Sequence, residues 1–335
     1  MLSRTTILSA ILMVAGLLAR PPLGAQGPAS DAALTPPVFH HLHVNSTDPD
    51  AAIAAYLKLW PATTKKTTVA GFDALENGRI YLLFNKVASP PPTQPQSAYR
   101  HQVWLTPDVR AYVARARANG MMPEPLYTAE DGATVDISSE TFPGTLTKAG
   151  LAEARQKGIT PTRQAGYTYI RGPQGLVVEG FERAGETERL GQIDMWQDDP
   201  VCAELWYAAH LGATRRAAAN GPAPTEATCK VAPGEPTWPS TMREGTRRTP
   251  AGRAAYGDVA LFWYTKPGAQ PLVSTQGQAV DHLAFAVTDL DAWVAKFRRE
   301  NVRILRPSYA FGSSRAVLIE GPSREAIEVL EQPSR

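Results

Sequence analysis

One spacing recurs along this chain and limits what it can fold into. His41, His101 and His282 each stand seven positions before an aspartate, at Asp48, Asp108 and Asp289, and Gln192 keeps the same distance from Asp199. Each aspartate opens a short amphipathic run that reads as a helix, and at Asp48-Pro49 and Asp199-Pro200 the pair supplies an N-cap side chain followed by a residue suited to the first helical turn. Upstream, residues 38–44 alternate as a strand does. The segment ends repeat too, with Gly172-Pro173 before Glu179 and Gly321-Pro322 before Glu328 by the same interval. A fold built from such repeats can gather metal ligands that lie far apart in sequence.

Four copies follow from this pattern. The first has a strand at 38–44, a helix at 51–60 and strands near 67–75 and 79–84, and the Pro90-Pro91-Pro92 linker closes it. The second has a strand at 101–105, a helix at 109–118 ending at Asn119-Gly120, and strands near 167–170 and 176–181. Residues 127–165 form an insertion far longer than an ordinary connection, hence a binding lid or an added helix. The charged run 182–189 marks a boundary. The third copy has a strand at 192–196, a helix at 201–211 and a late strand at 259–264, around a Pro-, Gly- and Thr-rich insertion at 213–256 that reads as a solvated loop. The fourth is compact, with a strand at 281–287, a helix at 289–300 and strands near 303–307, 316–319 and 326–330.

Composition narrows the function. The 335 residues fit two domains after an N-terminal extension, and 43% apolar content is enough for real cores. A net charge of +2 with no long basic stripe argues against nucleic acid as partner, which leaves a small molecule. Residues 1–25 carry Arg4, an apolar stretch at 5–18 and then Leu23-Gly24-Ala25, the pattern of a cleavable export signal. The apolar run is shorter than the about 20 residues that span a bilayer. A mature chain starting near Gln26 in the periplasm or outside the cell, with no membrane attachment after cleavage, is expected. The two cysteines, Cys202 and Cys229, either close a loop of about 28 residues worth about 3 kcal/mol, or Cys202 is a small buried hydrophobe.

The β-α-β-β-β order of each copy, with histidine on a first strand and glutamate on a last one, resembles the vicinal oxygen chelate superfamily, which includes glyoxalase I, extradiol ring-cleaving dioxygenases and bleomycin-resistance proteins. The resemblance covers about residues 38–331. It implies an α+β fold of four modules paired into two domains, 38–183 and 190–331 after a linker at 26–37, each a curled mixed sheet around a cleft with helices outside. It implies a metal site in the N-terminal cleft made by His41, His101 and Glu179. The C-terminal cleft would receive Gln192, His282 and Glu328, and the weak glutamine ligand makes it a relic. No ligand stands on 79–84. Two imidazoles and one carboxylate suit non-haem Fe(II), with Mn, Zn or Ni as other occupants.

The run from Tyr169 to Glu179 is similar to the extradiol dioxygenase signature, so Tyr169 is expected to hydrogen-bond a metal-bound substrate oxygen. No histidine stands near residues 160–162, where such enzymes keep an acid-base imidazole. His43, which shares a strand face with His41, is the candidate for that role. The resemblance thus points to an exported metal-dependent enzyme acting on a substrate with adjacent oxygens, dioxygenase-like or a related lyase or isomerase. The other reading is a metal-free binder like the bleomycin-resistance proteins.

Overall fold

The computed structural model describes residues 34–121, 127–128, 134–135, 156, 167–215, 223–232, 251–266 and 269–332. The expected signal segment, nearly all of the insertion at 127–165 and most of the loop at 213–256 lie outside the described residues. Residues 34–335 form one compact unit.

The first module consists of β1 (Val38–Ser46), α1 (Pro49–Leu59), β2 (Lys65–Val69), β3 (Phe72–Asn77) and β4 (Ile80–Lys86). The single strand expected at 67–75 is two strands, because Ala70 and Gly71 adopt φ of 51° and 88° and make a tight turn. The second module has β5 (Tyr99–Thr106), α2 (Val109–Ala118), the two-residue pair β6 (Tyr127–Thr128) and β7 (Thr134–Val135), then β8 (Tyr167–Arg171) and β9 (Val177–Glu182). The third has β10 (Arg189–Gln197), α3 (Pro200–Leu211), β11 (Thr214–Arg215), β12 (Gly252–Tyr256) and β13 (Val259–Thr265). The fourth has β14 (Val280–Val287), α4 (Leu290–Arg299), β15 (Ile304–Phe311), β16 (Ser314–Glu320) and β17 (Ala326–Glu331).

The repeated aspartates cap their helices as expected in three copies. Asp48 accepts from the Ala51 amide, Asp108 from those of Arg110 and Ala111, and Asp289 from that of Ala292, each cap being worth roughly 1 kcal/mol. Asp199 instead accepts from the Val231 amide at 2.8 Å. That residue lies just past Cys229, which is joined to Cys202 of α3 by a disulfide, so the third cap is diverted to hold the stapled loop.

Module pairing differs from the order of the chain. β1 pairs antiparallel with β14, giving an eight-stranded sheet β15-β16-β17-β14-β1-β4-β3-β2, whereas β5 pairs with β10 in a seven-stranded sheet β11-β12-β13-β10-β5-β9-β8. The outer modules therefore share one sheet and the inner modules the other. The expected divisions 38–183 and 190–331 each contribute to both. Antiparallel pairing of two first strands satisfies the backbone whichever modules meet, so neighbours in sequence have no special claim.

Each sheet buries one face under helices. Leu42, Val44, Leu283, Phe285, Ile327 and Val329 enter the core that also holds Ile53, Tyr112, Tyr207 and Phe297 from α1 to α4. α1 touches α2 through Arg115 Nε donating to the Leu59 carbonyl, and α3 touches α4 through Lys296 Nζ donating to that of Ala209. Trp60 and Trp104 stack with centroids 3.7 Å apart inside this core, an aromatic pair worth about 0.5–1.5 kcal/mol beyond burial. The opposite, concave face of the eight-stranded sheet carries Ala74, Leu83, Ala284, Phe311 and Leu330. Its ends approach one another: Gly312 in the β15–β16 turn has φ +58°, and a β-carbon there would lie 3.1 Å from the Ala70 α-carbon in the β2–β3 turn. No described helix is long and apolar enough to cross a membrane.

Candidate metal centre and its counterpart

The concave face of the eight-stranded sheet gathers His41, His43, His282 and Glu328. Alternation along β1 puts His41 and His43 on one face while Leu42 enters the core, and His43 lies directly opposite His282 on β14. Glu328 on β17 is level with Ala284, two positions beyond His282. His41 Nε2 stands 3.4 Å from Glu328 Oε2, and His282 Nε2 stands 3.9 Å from Glu328 Oε1. Ligand atoms of His41, His43 and His282 all lie within 4.8 Å of one another. All four residues are buried, yet His41 Nε2, His43 Nδ1, His282 Nε2 and Glu328 Oε2 have no hydrogen-bond partner.

The surroundings hold these groups in place. His282 Nδ1 donates to Asp281 Oδ1 at 2.7 Å, and Tyr309 Oη donates to Glu328 Oε1 at 2.5 Å. Phe311 lies flat on His41 with centroids 5.7 Å apart, and Phe72 meets His43 edge-on at 4.6 Å. Both aromatics flank the turns that meet at Ala70 and Gly312. Burial, followed by the neighbouring imidazoles, holds His41 well below the usual histidine range. Burial and His282 push His43 down to about 3. Burial raises the Glu328 carboxyl, while Asp281 is kept low, against its own burial, by the bond from His282. At neutral pH the histidines His41 and His43 are thus uncharged and offer lone pairs.

The other sheet carries an equivalent quartet. His101 on β5 lies opposite Asp194 on β10, and Glu179 on β9 is level with Val103, two positions beyond His101. Gln192 takes the place that His41 has in the first cleft, Asp194 that of His43, His101 that of His282 and Glu179 that of Glu328. These groups already bond one another. His101 Nε2 is 2.8 Å from Glu179 Oε2 and 3.2 Å from Asp194 Oδ2, and Gln192 Nε2 donates to Asp194 Oδ1 at 2.5 Å. Arg100 Nη1 donates to Asp194 Oδ2 at 3.2 Å, with the guanidinium over the rings of Trp196 and Tyr264 at 4.8 and 4.5 Å. His101 and Arg100 keep Asp194 ionised despite its burial. His101 Nδ1 is the one atom of this quartet's histidine left without a partner.

The expected ligand set His41, His101 and Glu179 is therefore divided. His41 belongs to the eight-stranded sheet, and His101 and Glu179 belong to the seven-stranded one, as the exchanged pairing requires. The expected acid-base partners are divided too: His43 stands beside His41, while Tyr169 is buried on β8 with its ring edge-on to His101 at 5.3 Å. His282 and Glu328, read from sequence as a relic, sit with His41. Asp194, Arg100, Asp281 and Tyr309 stand in these clefts beside the residues that the repeat marks. For two of them the sequence does carry a signal, since the residue before the repeated histidine is acidic at Asp281 and basic at Arg100.

Residues 189–329 match the family model described as Glyoxalase/Bleomycin resistance protein/Dioxygenase superfamily. Among solved structures, glyoxalase I from Zea mays shares the fold with a TM-score of 0.54 at 13% identity, over 88% of this chain and 92% of that one. A protein of Bacillus subtilis subsp. subtilis str. 168, provisionally named a dioxygenase, does so with a TM-score of 0.54 at 12% identity, over 90% and 87%. Comparison with curated proteins gave no match. The sequence of residues 189–329 thus matches the glyoxalase, bleomycin-resistance and dioxygenase superfamily, and the fold of glyoxalase I extends over both sheets.

Proposed function

We propose that the first cleft binds a divalent metal ion through His41, His282 and Glu328, and that the protein is an exported enzyme acting on a small molecule with two adjacent oxygens. The observation that carries this reading is the convergence of four buried, partnerless atoms: His41 Nε2, His43 Nδ1, His282 Nε2 and Glu328 Oε2. A buried polar atom without a partner costs about 1–3 kcal/mol, and a cation held by His41, His282 and Glu328 answers three of them. Two neutral imidazoles and a carboxylate fit Fe(II) best and also accept Mn, Zn or Ni. Bound there, the ion supplies Lewis-acid polarisation of the substrate's oxygens.

The chain's own residues do the rest. Asp281 accepts a hydrogen bond from the Nδ1–H of His282 and so leaves its Nε2 to face the cleft, as outer partners of metal-bound histidines do. Tyr309 occupies Glu328 Oε1 and leaves Oε2 facing the histidines. His43, uncharged and flanked by Phe72, is either a further ligand or the acceptor of a proton from a substrate hydroxyl. Phe311 and Phe72 make flat apolar walls that exclude water and suit a planar substrate. Extradiol-type ring opening is the first reaction to test, and lyase or isomerase chemistry on adjacent oxygens the second.

Metal analysis of the native protein, with oxygen uptake measured on a catechol panel with and without air, tests the reading. Stoichiometric metal and oxygen consumption are expected. Metal without oxygen uptake removes the dioxygenase and keeps the lyase or isomerase. A metal-free protein that still binds ligand points to a sequestering module instead. Export is supported by the signal-like residues 1–25 and by the Cys202–Cys229 disulfide. N-terminal sequencing of secreted protein should read from near Gln26.

A further inference from the structure

Three arginines stand on or beside the β15–β16 hairpin, and two of them are spent. Arg303 Nη1 donates to Glu320 Oε2 at 2.8 Å, and Arg315 divides its donors between Asp291 and Glu331. Arg306, exposed on β15, has no carboxylate or other hydrogen-bond acceptor among the described residues. Its guanidinium lies instead over the Tyr309 ring, 4.0 Å from the centroid. Register shows which face it serves. Arg306 is opposite Leu318 on β16, Leu318 is opposite Glu328 on β17, Glu328 is level with Ala284 on β14, and Ala284 is opposite His41 on β1. Residues directly opposite one another share a face, so this row puts Arg306 on the concave face with His41 and Glu328. In a regular strand, residues three apart face opposite ways. The register shift between Arg306 and Tyr309 turns both to the same side, as a bulge does.

Arg306, Tyr309 and Glu328 form one wall of the first cleft. Tyr309 donates its hydroxyl to Glu328 Oε1 at 2.5 Å while its ring carries Arg306. A guanidinium seated on a ring face keeps its planar fork of donors available. The carboxylates of the cleft are already engaged, Glu328 by Tyr309 and Asp281 by His282 Nδ1 and the Gly277 amide. The charge of Arg306 still reaches inward: burial raises the Glu328 carboxyl, and Arg306 is among the groups that draw it back. β15 lies two strands from β17, about 10 Å at the usual spacing, a span that one substituted ring and an arginine side chain cover together. We propose that Arg306 is a specificity-determining residue that pairs with a carboxylate of the substrate, so that the molecule taken up is an acid bearing two adjacent oxygens. A guanidinium binds such a group through two parallel hydrogen bonds, and it offers nothing comparable to an amine. This rests on the reading of the first cleft given above.

Calorimetric titration of the zinc-loaded full chain reads the preference without any turnover. The probes are protocatechuate, a catechol with a carboxylate on its ring, then its methyl ester, and dopamine, a catechol with an ammonium. Wild type should bind protocatechuate about tenfold more tightly than the ester, the size expected of a hydrogen bond between charged groups, and dopamine more weakly still. Arg306→Leu should abolish that difference and leave the affinity for the ester unchanged. Arg306→Lys should keep part of it, because an ammonium is a point charge without the fork. Arg306→Glu should invert the order and favour dopamine, a reversal that a merely structural role would not produce. The side chain is exposed, so all three variants should fold and hold as much zinc as wild type by element analysis. Equal affinity of wild type for protocatechuate and its ester, or a preference for protocatechuate that survives Arg306→Glu, overturns the assignment of Arg306 and leaves the metal centre standing. A wild-type chain that holds no zinc, or that binds none of the three probes, overturns the reading of the first cleft and this assignment with it.

Discussion

The two clefts are built on one skeleton and hold opposite inventories of charge. Each has two residues from one first strand, a histidine from the strand opposite and a glutamate two registers further on. In the first cleft three of the four are histidines, and lone pairs are left over. In the second, two carboxylates surround His101, and Arg100 supplies a fixed cation held on two aromatic faces. The residue just before the histidine sets the difference. Asp281 strengthens His282 as a donor to a cation, whereas Arg100 is itself the cation. Equivalent strand pairing thus leaves partnerless lone pairs in one cleft and an ion-pair network in the other.

The sharpest way to break this contrast is to follow metal content. His282→Ala or Glu328→Ala should remove stoichiometric metal altogether, and His101→Ala should leave it unchanged, as read by element analysis of purified variants. Metal that follows His101 would reverse the assignment of the clefts. Next in size is the network itself. Arg100→Ala leaves Asp194 buried without its guanidinium, both side chains being at most 5% exposed, and should cost about 3–5 kcal/mol in urea unfolding. Changing both residues together, Arg100→Met with Asp194→Leu, should recover much of that loss. Equal stability of Arg100→Ala and wild type would mean the network is not closed as described.

A third effect separates the clefts by pH. His43 has a folded pKa pushed down to about 3, so below the unfolded value of about 6.5 the unfolded chain binds the extra proton. In metal-free protein, stability should therefore fall as pH drops from 6.5 towards 3, by about 1.4 kcal/mol per unit for each such histidine. His41 is shifted in the same direction and adds to the slope. Asp194 is held below its ordinary value, so its contribution stays until pH falls under about 3.9. Urea midpoints at pH 7, 5.5 and 4.5 should decline in wild type and less in His43→Leu, with Arg100→Met parallel to wild type. A flat profile in wild type would mean that the first-cleft histidines are not buried neutral.

Much of the fold is legible in the sequence because local signals carry it. Asp108 and Asn119-Gly120 bound α2 to the residue, and strand alternation assigns His41, His43, His282 and Glu328 to one kind of face. What is not legible is which strand meets which, since β1, β5, β10 and β14 present similar edges, and contacts such as Trp60 beyond α1 on Trp104 of β5 join residues far apart in sequence. His41, His282 and Glu328 are each visible in the repeat, but combining residues by chain order joins His41 to His101 and Glu179, which stand on the other sheet. The network around Asp194 escapes because it depends on Arg100 crossing between strands, a contact between residues 94 apart in sequence.

The nesting of the modules also orders events during synthesis. The inner sheet is complete once β13 has been made, so its ion-pair network can close while the fourth module is still to come. The first cleft needs β1 to wait for β14 and β17, and its ligands come from near both limits of the folded unit. Loop-closure entropy grows slowly with length, so the delay is one of timing more than of equilibrium. A ribosome-bound chain would expose the concave face of β1, with His40, His41 and His43, until the last strand is laid down. Glu328, on the last strand, joins His41 only at the end, so the proposed site is the last part of the fold to be assembled.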